Sequence, residues 1–462
     1  MSTSGRGRRA AGATLTLVVC ATGVVWLLRA GLDVAGPEPG TAPDSLVLVT
    51  IDTLRMDHLG IHGGPTPTPH LDALARDGVV LMSAVTPTPS TAPAHASLFT
   101  GLHPWRHGVL DNAVRLDTAE PTLAEILGGP KRATAAFVAS YILHPRFGLG
   151  RGFAQYRFEA SEPYTWRGRE RERFWSRGNQ VTDRALRWLE AEGERPFLLW
   201  VHYFDPHAPY QPPAAFEQPT EEAVAPASTR LPAHLPDARS LAELIRGYRG
   251  EIAYTDAQVG RLLDGLEALN LRDRTAVLVT SDHGEGLGDH GLLEHGENLF
   301  SELVRVPVIL RSRGLPAGRR LHGAAQLEDL MPTLLALLGE PIPLDLDGRN
   351  LLPWLRGEVA ESPREWAVGR RKPFPGEPDL YFAQRGSEKW IGALGAPGNR
   401  FRLDTDPGEH TPETHALPPP ELLRRVATVT PRPGIPEPLD DETLRALEAL
   451  GYGVPRSDGS PR

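Results

Sequence analysis

Two alternating patterns of hydrophobic positions run along the chain. Unbroken apolar runs of strand length occur at "SLVLVTID" (45–52), "ATAAFVA" (133–139), "PFLLWVHYFD" (196–205), "TAVLVTSD" (275–282) and "VRVPVILRS" (304–312), and a further run, "VVLMSAV", starts at Val79. Between them, "TPHLDALARDG" (stopped by Gly78), "NQVTDRALRWLEAEG" and "LAELIRGYRGEIAYTDAQVGRLLDGLEALN" repeat their apolar residues at helical spacing. Runs that are apolar throughout suit strands covered on both faces. Their alternation with helices predicts an α/β fold, a mostly parallel sheet sandwiched by helices, over residues 45–355. Residues 211–240 are rich in Pro and Ala and read as a surface insertion. After about residue 355, "DLYFAQRGSEKWIGAL" and "NRFRLDTDPGE" read as short strands and turns, a smaller C-terminal α+β subdomain over 356–415. The Pro-rich remainder, 416–462, contains one amphipathic helix in "DDETLRALEALGYG" and then a tail.

The N-terminus differs from the rest. Arg6, Arg8 and Arg9 precede the uncharged run Ala10–Leu28, closed by Arg29. Such a run just spans a bilayer, so 1–9 is expected as a basic cytoplasmic tail, 10–28 as an uncleaved signal anchor and 30–44 as a tether. A cleaved signal peptide is the alternative, with "VAG" near Ala35 offering small residues. Either way the main domain is expected outside the cytoplasm, on the periplasmic or extracellular side. Cys20 is the sole cysteine, so the domain needs no disulfide and tolerates an oxidising compartment. The 49 basic against 58 acidic residues give a net charge of −9, which excludes a protein built to wrap nucleic acid.

Chemistry gathers at the ends of the apolar runs. Asp52 closes the first, Asp282 and His283 close the run at 275–282 before glycines, and Asp205 and His207 follow the run at 196–205. Ends of parallel strands converge on one sheet edge, where carboxylates with a neutral imidazole suit a divalent cation. In "TPSTAPAHASLFTG", Pro93 marks a helix start and places Thr91 at or near the N-cap. A hydroxyl there, beside free backbone N–H groups and a metal, can become a nucleophile, although threonine is also a common cap.

The segments "VLVTIDTLRMDHLG", "TPHLDALARDGV", "TAPAHASLFTGLHPWRHGV", "FGLGRGFAQY", "SDHGEGLGDHG" and "LDTDPGE", in that order, resemble the sulfatase family of the alkaline phosphatase superfamily across roughly residues 44–412. The resemblance implies that Asp52, Asp282 and His283, with the Thr91 oxygen, hold a metal; the imidazole ligand favours zinc or manganese, and calcium is the alternative because the family's sulfatases use it. It further implies that Thr91 is the nucleophile and Asn112 contacts a substrate oxyanion. His207 and His295 contact the substrate, protonate the leaving oxygen or hold a second metal. His95 stands where the family carries an arginine and is expected to join the catalytic residues. Departures accompany these matches. Threonine cannot be converted to the formylglycine of family sulfatases, so none is expected; Thr53 replaces a second aspartate; and no lysine occurs between Lys131 and Lys372. These shift the expected reaction from sulfate esters toward phosphate esters of a small molecule, glycan or lipid. A true sulfatase, a phosphoethanolamine-type transferase and a non-catalytic binder of anionic glycans remain the alternatives. His202 is expected to be an ordinary core residue, His103 and His107 structural, and Asp205, Asp289 and His290 turn-forming.

Overall fold

The computed structural model describes residues 42–166, 169–218, 240–371, 377–422, 432–437, 439–450 and 452. The expected anchor at 10–28 lies outside them, as does most of the insertion. Among the described residues no helix is long and apolar enough to cross a membrane.

The apolar runs become strands of one eight-stranded sheet. In chain order these are β1 (Ser45–Ile51), β2 (Val79–Leu81), β3 (Ala133–Val138), β4 (Gln155–Phe158), β5 (Phe197–Tyr203), β6 (Thr275–Ser281), β7 (Val308–Arg311) and β8 (Arg319–Leu321). They lie side by side as β8-β2-β7-β6-β1-β5-β3-β4. All neighbours run parallel except that β7 is antiparallel to both β6 and β2. Every residue of β1, β5 and β6 is buried, as runs apolar on both faces require. β4 and β8 carry no apolar run: both are edge strands, with Arg157 in one and Arg319 and Arg320 in the other.

The helical spacings hold as well. α1 (Pro69–Arg76), α2 (Thr91–Thr100), α3 (Gly178–Glu192) and α4 (Leu241–Ala268) are joined by a terminal helix, α5 (Asp441–Ala449). Along α4, Leu241, Leu244, Tyr248, Ile252, Thr255, Val259, Leu262 and Leu266 are buried at steps of three and four, one helical face. That face also carries Glu251, which accepts from Arg177 at 3.1 Å, and Asp256, which accepts the N–H groups of His70 and Leu71 at the start of α1. α1, α3 and α4 pack together, and α2 packs in a second group with the helices Leu123–Leu127 and Leu330–Leu337.

A separate five-stranded antiparallel sheet follows, with β9 (Ala367–Arg370), β10 (Leu380–Arg385), β11 (Glu388–Ala393), β12 (Gly398–Arg402) and β13 (Glu413–Ala416) in sequential order. A two-residue turn links β10 to β11, Arg385 opposite Glu388, with Gly386 supplying the positive φ that such a turn needs. The sheet is fastened to the main body by an apolar cluster of Val85, Leu299, Leu303, Val304, Ala367 and Phe382. Within that junction Lys389 Nζ meets Glu409 at 2.7 Å, both side chains fully buried.

Buried histidines outside the sheet edge bear on acid stability. Burial holds His58 down to about 4 and His107 down to about 3, so both are neutral in the fold. Their folded pKa values lie below the unfolded value near 6.5. The stability they contribute is therefore complete above that value and is lost as pH falls through it. Each should cost about 1.4 kcal/mol per pH unit below 6.5 until its own folded pKa is reached. Thermal unfolding of the metal-free protein at pH 7 and pH 5 should show a lower midpoint at pH 5, and His107→Asn should reduce that difference.

Candidate active site

β1 and β6 are parallel neighbours with Ile51 opposite Ser281. The next residue on each strand is acidic, so the register alone sets Asp52 beside Asp282 at the C-terminal edge of the sheet. Both are 1% exposed. Asp282 Oδ1 accepts N–H bonds from His283 at 2.8 Å and Thr53 at 3.2 Å. The latter needs Thr53 at φ +55°, a costly conformation for a β-branched residue. It is held there by Tyr248, whose phenol donates to the Thr53 carbonyl at 2.7 Å and accepts from the Arg55 N–H at 2.8 Å.

His283 Nδ1–H donates to the Gly284 carbonyl at 2.9 Å, which leaves Nε2 as a lone pair. That lone pair lies 3.5 Å from Asp282 Oδ2 and 4.0 Å from Asp52 Oδ1. Residue 284 must be glycine, since a Cβ there would sit 1.8 Å from the Glu302 carbonyl oxygen. Asp52 Oδ1 and Oδ2 and Asp282 Oδ2 are buried without any hydrogen-bond partner. One ligand atom from each of Asp52, Asp282 and His283 falls within a 4.8 Å cluster. Buried carboxylate oxygens facing an imidazole lone pair repel one another unless a cation joins them. The donor set fits a divalent metal.

The two acids differ in electrostatic setting. Burial raises the Asp52 pKa, and Asp282 and Glu285 add to the effect. Burial also pushes Asp282 upward, but His283, His95 and His202 around it outweigh that and hold it below its ordinary value.

Ser90, not Thr91, is the N-cap of α2: its extended backbone (φ −152°, ψ 136°) leaves Thr91 as the first helical residue. Thr91 is fully buried, and its hydroxyl donates to His283 Nε2 at 3.4 Å. Asn112 Oδ1 accepts the Ala92 N–H at 3.0 Å, so the amide NH₂ remains as a donor beside the helix start. His95 lies beneath this turn. Its Nδ1–H donates to the Thr91 carbonyl at 2.8 Å, and its Nε2 accepts from Thr50 Oγ1 at 3.0 Å. Both nitrogens are thus engaged, so His95 braces the turn that carries Thr91, where a catalytic contact was expected.

The other two expected histidines sit together. His207 and His295 have ring centroids 5.2 Å apart, and His295 lies 4.4 Å from His283. His207 Nδ1–H donates to the Ala208 carbonyl at 2.8 Å, its Nε2 is buried without a partner, and burial followed by His295 lowers its pKa to about 4. His295 Nδ1 instead meets Glu285 Oε1 at 3.1 Å, and Tyr210 donates to the second Glu285 oxygen at 2.9 Å. Burial pushes Glu285 up to about 7.

Three participants escaped the sequence. His202 was expected to be an ordinary core residue, yet it accepts the Ala139 N–H at Nδ1 and sets Nε2 3.7 Å from Asp52 Oδ2. Its pairing with Thr50, two residues before Asp52, is what puts it there. Glu285 stood inside a quoted motif without a role. Tyr452, beyond α5, places its phenol 3.5 Å from Thr91 Oγ1. The turn-forming expectations fit the geometry. Asp205 accepts from Arg177 and from the Gly178 N–H at the start of α3, Asp289 pairs with Arg55, and His290 meets Glu302. His107 bonds Ser97 Oγ at 3.0 Å, away from the cluster.

The sulfatase family model matches residues 44–340. This chain belongs to the sulfatase family. It is 30% identical over 362 residues to an ulvan-active sulfatase of Formosa agariphila, a match covering 73% of this chain and 70% of that protein. It is 29% identical over 409 residues to a multifunctional alkaline phosphatase superfamily protein of Trinickia caryophylli, covering 70% and 78%. Among solved structures, a phosphonate monoester hydrolase of Agrobacterium radiobacter superposes with TM-score 0.66 at 22% identity, covering 91% of this chain and 99% of that one. Family membership makes the protein an ester hydrolase with an alkaline phosphatase-like fold.

Stripping the protein with a chelator and then adding zinc or manganese should raise its unfolding midpoint, since the cation binds only the folded cluster. Asp52→Asn and Asp282→Asn should each abolish that rise; a rise that persists in both variants would place the metal elsewhere.

Proposed function

We propose that the protein is a metal-dependent hydrolase that cleaves phosphate esters with Thr91 as nucleophile. The observation that carries the reading is the Thr91 hydroxyl at the start of α2, 3.4 Å from His283 Nε2 and beside the Asp52–Asp282 pair. Asp52, Asp282, His283 and the Thr91 oxygen would hold the cation, with zinc or manganese preferred because one ligand is an imidazole. When bound, it supplies Lewis-acid charge that lowers the pKa of the hydroxyl beside it.

The residues divide the remaining work. Thr91 Oγ1 forms a bond to phosphorus as the bond to the leaving oxygen breaks, and the threonyl proton passes to water. Asn112 donates its amide to an oxygen that gains charge, and the start of α2 adds its dipole. His295 is the proton donor to the leaving oxygen, its Nδ1 held 3.1 Å from the Glu285 carboxyl group. His207, with Nδ1–H tied to a carbonyl, offers Nε2 only as an acceptor and positions the substrate. Water then cleaves the phosphothreonine.

The preference for phosphate rests on what surrounds Thr91. A sulfated threonine has no second hydroxyl on its carbon through which to expel sulfate, whereas phosphothreonine can be opened by in-line attack of water at phosphorus. Lys389, at the junction with the C-terminal sheet, is committed to Glu409. The Trinickia relative's description as multifunctional supports a site not confined to sulfate. The ulvan-active relative supports sulfate esters of glycans as the competing substrate. We further read 45–355 as the catalytic domain and 356–415 as its subdomain, displayed outside the cytoplasm on the segment 10–28.

The test compares nitrophenyl phosphate, a nitrophenyl phosphodiester and nitrophenyl sulfate with zinc, manganese or calcium. Phosphoester cleavage should dominate and fall by roughly 10³-fold or more in Thr91→Ala, with Thr91→Ser retaining a measurable part. Dominant sulfate cleavage would overturn the substrate assignment, and full activity in Thr91→Ala would overturn the nucleophile.

A further inference from the structure

The C-terminal helix delivers a phenol to the reacting atom. α5 begins at Asp440, whose carboxylate accepts the Thr443 N–H at 2.9 Å. Arg146 then clamps the helix, donating to Asp440 and to Thr443 Oγ1, each at 2.9 Å. Tyr141 adds a hydroxyl contact to Thr443 at 3.2 Å. Along the inner face Ala446, Leu447 and Leu450 are buried in the main core. At the far end the Leu450 N–H donates to the Ala446 carbonyl at 3.0 Å and the Tyr452 N–H to the Leu447 carbonyl at 2.9 Å. The second bond is the six-to-one closure of a Schellman cap, which fixes the direction of residue 452 relative to the helix axis. Tyr452 is therefore aimed by a docked, capped helix.

Its ring lies 6.2 Å from that of His295 and 6.4 Å from that of His207, and its hydroxyl lies 3.5 Å from Thr91 Oγ1. Hydrogen positions set the direction of that contact. Once Thr91 gives up its proton as the nucleophile its oxygen can only accept, so the Tyr452 phenol is the donor of that contact. Separations of this length shorten when substrate closes a site.

We infer that Tyr452 is a catalytic residue, its phenolic O–H donating to Thr91 Oγ1 in the free enzyme and to a non-bridging oxygen of the anionic group during transfer. This rests on Thr91 being the nucleophile. The reacting site then spans the chain from Asp52 in β1 to a residue beyond α5, and a segment that reads in sequence as a plain amphipathic helix is part of the catalytic apparatus.

The variant that isolates the hydroxyl is Tyr452→Phe, which keeps the ring and the backbone cap. Wild type, Tyr452→Phe and Thr91→Ala of the full chain are loaded with manganese or zinc. They are compared in ester hydrolysis and in the affinity for inorganic vanadate, a mimic of the transferring group. Tyr452→Phe is expected to lower kcat about 10- to 100-fold with KM nearly unchanged, and to weaken vanadate by a similar factor, as loss of a hydrogen bond to a charged group does. Its unfolding midpoint should match that of wild type, separating the effect from folding. Unchanged kcat and unchanged vanadate affinity overturn the inference, and so does the absence of vanadate binding by every form. Raised activity in Tyr452→Phe also overturns it, and would make the residue a plug. If Thr91→Ala stays active while Tyr452→Phe fails, the nucleophile assignment falls and takes the donation to Thr91 with it; the opposite pattern overturns the role of Tyr452 alone.

Discussion

Two buried carboxylates set side by side at the edge of the sheet form the constraint on which the site depends. Asp52 and Asp282 are neighbours because β1 and β6 are parallel and in register, and a slip of one residue would separate them or turn one into the core. In a buried setting their repulsion is costly. Much of the nearby structure is organised to offset it. Thr53 takes a left-handed backbone to give its N–H to Asp282, and Tyr248 holds it there. Three imidazoles crowd the same acid. The remaining carboxylate oxygens are left for a cation.

The histidines form two layers about this pair. His95 and His202 lie below, with ring centroids 5.2 Å apart and next to Trp200. His207 and His295 lie on the other side of His283. Backbone carbonyls decide which nitrogen carries the proton in three of these rings: that of Thr91 for His95, Gly284 for His283 and Ala208 for His207. His295 departs from the rule, since a carboxylate holds it.

Legibility in the sequence followed the physics of each element. Strands covered on both faces announce themselves as unbroken apolar runs, and the acids that close them are visible because nothing else in such a run is charged. The edge strands β4 and β8 need no apolar run and left no trace. Thr91 was placed to within one residue: Pro93 marks the first turn, but the extended backbone of Ser90 that makes it the cap is a tertiary outcome. The cluster of Asp52, Asp282 and His283 was readable through family motifs, whose spacing encodes the sheet edge. His202 was not, because a mid-strand histidine gains meaning only from the partner strand beside it. Tyr452 was beyond reach for the same reason, lying 361 residues from the hydroxyl it meets.

The distance from Asp52 to Tyr452 along the chain also orders events during synthesis. The central strand, the nucleophile helix and the metal cluster leave the ribosome with β1, α2 and β6, and α5 leaves long after them. An unfinished chain can fold its sheet around Asp52 and Asp282 while the docking surface at Tyr141 and Arg146 still awaits its helix. Packing around Thr91 thereby waits for a segment made long after the sheet, which gives the order of synthesis a place in the assembly of this cluster.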